Sequence, residues 1–271
     1  MTSRTSPALD HTAAIARDAA LFVDALAGCP ADAPVPSCPG WTASNLLAHL
    51  TQVHTFWAAI LRDDVRDDEA ANALQHPAPD KLGTAELVAA SRVATADLVA
   101  QLDRLSDCEP RWSWWPADQS AGFTRRMQVS EAAIHRVDAE LTAGLEPSPF
   151  GPGVAPHIVD QVIDVMHAWR PDGAREEVLG TLAVEAPDDD HHALASLVSW
   201  TGTLPWTGQE GSGVCLQRVE GAAQDPAQAT VRGTLDDLAR WLWNRPAADV
   251  ELAGDQTVVE ALRTMVEAGV Q

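Results

Sequence analysis

The stretch TASNLLAHLTQVHTFWAAIL, residues 42–61, decides the fold of the first half of the chain. Leu46, Leu50, Val53, Trp57 and Ile60 recur at helical spacing, so they form one apolar stripe, and Thr42 stands where an N-cap belongs. A helix with one apolar stripe must bury it against other elements, and three further segments offer matching faces. DHTAAIARDAALFVDALA (10–27) follows an Asp10 cap and stops at Gly28. A third helix is predicted from about Thr84 to Leu105, carried by Leu87, Ala94, Leu98, Leu102 and Leu105. A fourth is predicted over about 123–143, with Met127, Ile134 and Leu141 facing inward. Four amphipathic helices joined by loops of uneven length predict a four-helix bundle. The acidic segment 62–83 reads as a solvated connection.

EPSPFGPG (146–153) is a break rich in Pro and Gly, and the pattern changes beyond it. A helix over about 156–169 comes first. GTLAVEA (180–186), GVCLQRV (213–219), AQATVRG (227–233) and DVELAG (249–254) then read as short strands, with helices at 234–244 and 255–269. The expectation is an α+β protein in two domains, a helical bundle over 1–150 and a smaller α+β domain over 151–271.

The chain has 271 residues, 46% of them apolar, and carries 18 Lys plus Arg against 39 Asp plus Glu, a formal charge of −21. Such a surface repels phosphate backbones and anionic lipid heads, so neither nucleic acid nor a membrane surface is expected as a partner. No window approaches the ~18 consecutive apolar residues of a membrane span, and the N-terminus lacks the pattern of a secretory signal. Cys29, Cys38, Cys108 and Cys215 show no C-x-x-C spacing. Cys29 and Cys38 are close enough to pair, but a cytoplasmic chain keeps such thiols reduced, and a cytoplasmic protein is the expectation. No nucleophile elbow, phosphate loop or dinucleotide fingerprint occurs.

On the helix 42–61, His49 falls within the apolar stripe, where an imidazole is more often a hydrogen-bonded core group than a ligand. Glu131 sits between Met127 and Ile134 on the inward stripe of the fourth helix, and a buried carboxylate there needs a partner. His135, one turn on, shares that face. Two imidazoles and a carboxylate make a ligand set suited to Zn²⁺ with an open position; the alternative is that Glu131 pairs with Arg125 or Arg126 and His135 borders the core. Asp138 has two readings, a hydrogen-bond partner that fixes the His135 tautomer or a surface partner of Arg136. His54, about 140° around the helix from His49, is expected at the edge of the core, and His191 and His192 in a solvated loop after the Asp run 188–190. Trp112, Trp114 and Trp115 either line a pocket mouth or cover the core.

PSCPGWTASNLLAHLTQVHTFW (36–57), RRMQVSEAAIHRVDAELTAG (125–144) and LARWLWNRPAADVELAGD (238–255) together resemble the mycothiol-dependent maleylpyruvate isomerase family, whose N-terminal half is a DinB-like four-helix bundle. The resemblance spans nearly the whole chain. It implies that His49, Glu131 and His135 hold a divalent metal, zinc or another, and that Arg245, in LWNRP, is the family's C-terminal arginine, a catalytic and cofactor-binding residue that helps hold an anionic substrate or the thiol. Many relatives carry His directly before the Glu, where this chain has Ser130, a departure that bears on which substrate fits. The implied chemistry is deprotonation of a low-molecular-weight thiol, mycothiol, at the metal and its addition to a small electrophile, expected to be anionic. Addition, bond rotation and elimination isomerise a cis-enedioic keto acid; addition alone is an S-transfer. Arg125 and Arg126 are further candidates for the positive charge an anionic substrate needs. A monomer or homodimer is expected. The rival readings are a non-catalytic small-molecule-binding or regulatory protein on the same scaffold, and a metal-dependent hydrolase.

Overall fold

The computed structural model describes residues 9–75, 82–189, 191–220 and 226–270. It divides into two compact units, one ending at Val154 and the next beginning at Ala155. Among the described residues, the first unit contains α1 (His11–Leu26), α2 (Ala43–Arg62), α3 (Asp68–Ala73), α4 (Thr84–Arg104) and α5 (Ala121–Thr142).

Three of the long helices, α1, α2 and α5, begin where a side chain satisfies an orphan amide. Asp10 accepts from the Ala13 amide, Thr42 from that of Asn45, and Ser120 from that of Phe123. At α2 the Asn45 side chain returns the bond to the Thr42 amide, completing a capping box that fixes where the helix starts and so where each later residue points. α1 packs on α5 and α2 on α4. Phe22, Leu26, Val35, Leu46, Leu47, Leu50 and Leu87 form a buried cluster between them.

One expectation for this unit changes. The connection 62–83 is not wholly solvated, because Asp67 caps the short helix α3 and Ala71 is fully buried; residues 76–81 of it lie outside the described residues. No disulfide forms among the four cysteines. Among the described residues no helix is long and apolar enough to cross a membrane.

α6 (Val154–Gln161) starts at the last residue of the first unit, lies otherwise in the second, and passes into a π-helical turn, Val162–Met166. A five-stranded sheet of order β3-β2-β1-β4-β5 follows, from β1 (Arg175–Ala186), β2 (His191–Thr203), β3 (Glu210–Arg218), β4 (Ala229–Arg232) and β5 (Glu251–Gly254), with α7 (Leu235–Leu242) and α8 (Gln256–Ala268) between and after them. β1 and β4 run parallel, and the other neighbours are antiparallel. The fold is therefore α+β, helical first and sheet-based second.

The sequence reading lacks β2, although it has 13 residues and pairs with both β1 and β3. The cause is physical. β1 bulges between Val178 and Gly180, and along β2 Ala193, Ala195 and Leu197 bury on one face while Val198 and Trp200 bury on the other against Trp169 and Ala174. A strand that changes its buried face midway shows no sustained alternation. At the bulge, Gly180 lets α8 approach; an added Cβ would stand 2.5 Å from Val258. His191 and His192 begin this strand instead of lying in a solvated loop, and His191 Nε2 is 3.6 Å from the Asp160 carboxylate.

Candidate metal centre

α2 and α5 bring His49, Glu131 and His135 together. His49 Nε2 lies 3.2 Å and His135 Nε2 3.3 Å from the same oxygen, Glu131 Oε1. The two imidazole centroids are 4.9 Å apart with the rings crossed at 77°. One ligand atom from each residue lies within 4.8 Å of the others, the sole such trio of His, Cys, Asp or Glu among the described residues. The cluster is partly covered, with side-chain exposures of 33% for His49, 20% for Glu131 and 12% for His135. His49 thus sits at the margin of the apolar stripe, partly exposed.

The electrostatics draw positive charge inward. Burial by itself raises Glu131, but the charge of His135 and hydrogen bonds from both imidazoles outweigh it and hold the carboxyl well below the usual carboxylate range. Burial opposes the charged form of His135 too; the Glu131 charge and the hydrogen bond to Asp138 overcome it and push the imidazole up to about 9. His135 Nδ1 is 2.9 Å from Oδ2 of Asp138, which is itself fully buried. A carboxylate accepts, so Nδ1 carries the hydrogen and Nε2 is the nitrogen turned to Glu131.

Of the two readings of Asp138, the surface pair with Arg136 falls away. Arg136 is fully buried on another face of α5, 2.9 Å from Asp18 and 2.6 Å from Glu140. Glu131 does not pair with the neighbouring arginines either. Arg125 is bound to Asp107 and to the carbonyls of Leu102 and Leu105, and Arg126 to Asp118. These bonds anchor the segment ahead of α5 and give both side chains structural partners. His54 is fully buried instead of edging the core, its Nδ1 2.9 Å from Thr95 Oγ1. Trp112 stacks on Trp57 and donates to Asp68, and Trp114 lies against Phe123, so these rings cover the bundle. Ser130 is buried with no hydrogen-bond partner for its hydroxyl among the described residues. Arg245 belongs to the other unit, where its guanidinium donates to the Trp243 carbonyl at 2.7 Å.

The Mycothiol maleylpyruvate isomerase N-terminal domain model matches residues 12–140, and the MDMPI C-terminal domain model matches residues 153–261. The chain belongs to the mycothiol-dependent maleylpyruvate isomerase family. Two solved structures share the fold of this family member at 15% identity, covering 94% of this chain and 97% of theirs. A histidine-to-alanine variant of mycothiol-dependent maleylpyruvate isomerase superposes with a TM-score of 0.61, and a second structure of that isomerase with 0.57. No curated protein sequence matches the chain.

Two contributors to the site escape sequence reasoning. Ser37 and Trp41, in the segment before α2, touch Asp138 and His49. Loop residues carry no periodicity, and the signal that could have marked them was their place in the PSCPGW segment.

Proposed function

We propose that this family member is a divalent-metal- and mycothiol-dependent enzyme that adds a thiolate to a small anionic electrophile, as a maleylpyruvate-isomerase-like isomerase or a mycothiol S-transferase. One observation carries the reading: the convergence of two imidazole nitrogens and a carboxylate oxygen within 4.8 Å, on the face of α5 where the charge balance favours a cation. The donor set fits a divalent metal of the zinc, nickel or iron kind, since nitrogen and carboxylate oxygen suit all three and three protein ligands leave a position for a further group.

When bound, such a cation makes a coordinated thiol ionised at neutral pH. The chain's own residues supply the rest. His49 and Glu131 hold α2 and α5 at ligand distance, and Asp138 keeps the Nδ1 hydrogen of His135 in place so that Nε2 stays turned to Glu131. Arg245 enters the proposal as the group that holds a carboxylate of substrate or thiol, supported by its match to the family's C-terminal arginine in LWNRP. The product depends on the electrophile: loss of the thiolate after rotation gives the isomer, and its retention gives the S-conjugate.

The test is turnover of maleylpyruvate and of simple electrophiles with zinc-loaded protein, with and without mycothiol. Conversion that requires both metal and thiol supports the reading. Hydrolysis without thiol contradicts it in favour of a metal-dependent hydrolase, and metal-free protein with no turnover contradicts it in favour of a non-catalytic binder. Unchanged substrate affinity in Arg245→Ala removes Arg245 from the account.

A further inference from the structure

The segment between α1 and α2 is a closed loop with few degrees of freedom. Val35 N donates to Trp41 O, Cys38 N to Val35 O, Trp41 N to Cys38 O, and Ala43 N to Ala33 O. A bridge joins Pro34 to Thr42, and Gly40 turns the chain at φ +86°, a left-handed conformation that glycine adopts without strain. Val35 plugs the loop into the bundle core at 3% exposure.

This loop touches the His49 imidazole directly and reaches His135 through Asp138. Ser37 Oγ donates to Asp138 Oδ1 at 2.5 Å, and Cys38 Sγ stands 3.7 Å from Asp138 Oδ2, the oxygen that receives His135 Nδ1–H. On the other side, the Trp41 indole meets the His49 ring edge-on, with centroids 4.9 Å apart. Ser37 and Asp138 lie 101 residues apart in sequence, so their contact ties the loop to α5 at the point where α5 aims a ligand. A buried carboxylate with one oxygen bound by a hydroxyl has a single orientation to offer the other oxygen's partner.

We propose that Ser37 is a positioning residue of the metal site: through Asp138 it fixes the ring orientation and the Nδ1–H tautomer of His135, while Trp41 limits the swing of His49. The inference rests on the metal reading above and adds to it that the site is assembled by three chain segments, not two. Outer partners of metal-bound histidines alter affinity about 10- to 100-fold when removed, which sets the expected size of the effect.

The test is a zinc competition titration against a chromophoric chelator, with wild type, Ser37→Ala, Ser37→Thr and Ser37→Val, alongside thermal melting of each metal-free protein. Thr and Val match in volume and differ in the hydroxyl. The expected result is wild-type affinity in Ser37→Thr, about tenfold or more weaker binding in Ser37→Val and Ser37→Ala, and metal-free melting temperatures within a few degrees of one another. Affinities within twofold of wild type in Ser37→Val and Ser37→Ala overturn the positioning role. So does a loss of affinity in Val and Thr alike, which would reflect size and not the hydroxyl. If wild type itself takes up no zinc, nickel or iron, the metal reading fails and this inference with it, and that outcome is visible in the wild-type curve alone.

Discussion

Two successive turns of α5 carry two charge clusters, one buried and one partly exposed, that are built on opposite principles. At Arg136 the chain supplies its own cation: the guanidinium is fully buried, meets Asp18 and Glu140, donates to the Ser148 carbonyl at 2.8 Å, and lies 5.1 Å over the Phe150 ring. Ser148 in turn donates to Glu140 through both its amide and its hydroxyl. One turn earlier, Glu131 is flanked by two imidazoles and, among the described residues, is ion-paired to no arginine or lysine, and the trio keeps partial access to solvent. The first cluster is closed and pins the chain after α5 to the bundle. The second gathers lone pairs around a point where charge can be exchanged. A buried carboxylate is therefore uninformative alone, and what separates a brace from a binding site is whether the fold brings a fixed cation to it.

The open cluster should respond to substitution with the largest functional loss. His49→Ala or Glu131→Ala should abolish metal uptake and lower thiol-dependent turnover by on the order of 10³-fold or more, with the melting temperature of the metal-free protein little changed. Metal analysis and steady-state rates check this. Arg136→Ala should do the reverse. It leaves Asp18 and Glu140 buried without their cation, costing about 3–5 kcal/mol in urea unfolding, while protein that remains folded still takes up metal.

A third contrast concerns His54, five residues past His49 and with no part in the trio. The Thr95 hydroxyl donates to the Ser91 carbonyl at 3.0 Å, so it accepts from His54 Nδ1–H, and burial lowers this imidazole from 6.5 to about 4. The folded chain then binds fewer protons at His54 than the unfolded chain between those values. Its contribution is fully present above pH 6.5 and is lost as the pH falls toward 4, amounting to about 3 kcal/mol. Urea unfolding at pH 7 and pH 4.5 should show that this acid sensitivity is smaller in His54→Gln. The mildest change is Ser148→Ala, which removes the 2.6 Å hydroxyl bond to Glu140 and should cost about 1.5 kcal/mol without altering metal affinity.

How much of this could be read in the sequence follows the same division. Helices with one apolar stripe announce themselves, and α1, α2, α4 and α5 fall where their patterns place them. The i, i+4 spacing of Glu131 and His135 exposes that pair, and the family resemblance adds His49. The Asp18–Arg136–Glu140 brace was hidden, because a cation placed mid-helix beside acids reads as a solvated face until tertiary packing buries it. His54 was hidden for a related reason: angular position on a helix indicates a direction, but the width of the buried face depends on how the neighbouring helices pack. Ser37 lies in a loop and gives no periodic signal, and β2 is buried on one face over its first half and on the other over its second.

The central claim is that His49, Glu131 and His135 jointly hold one divalent cation. The most direct measurement is isothermal titration of metal-free wild type and Glu131→Gln with Zn²⁺, Ni²⁺ and Fe²⁺. The account predicts one tight site per chain in wild type, and its loss in the variant with folding intact. Absence of a tight site in well-folded wild type for all three metals, or an undiminished site in Glu131→Gln, would contradict it.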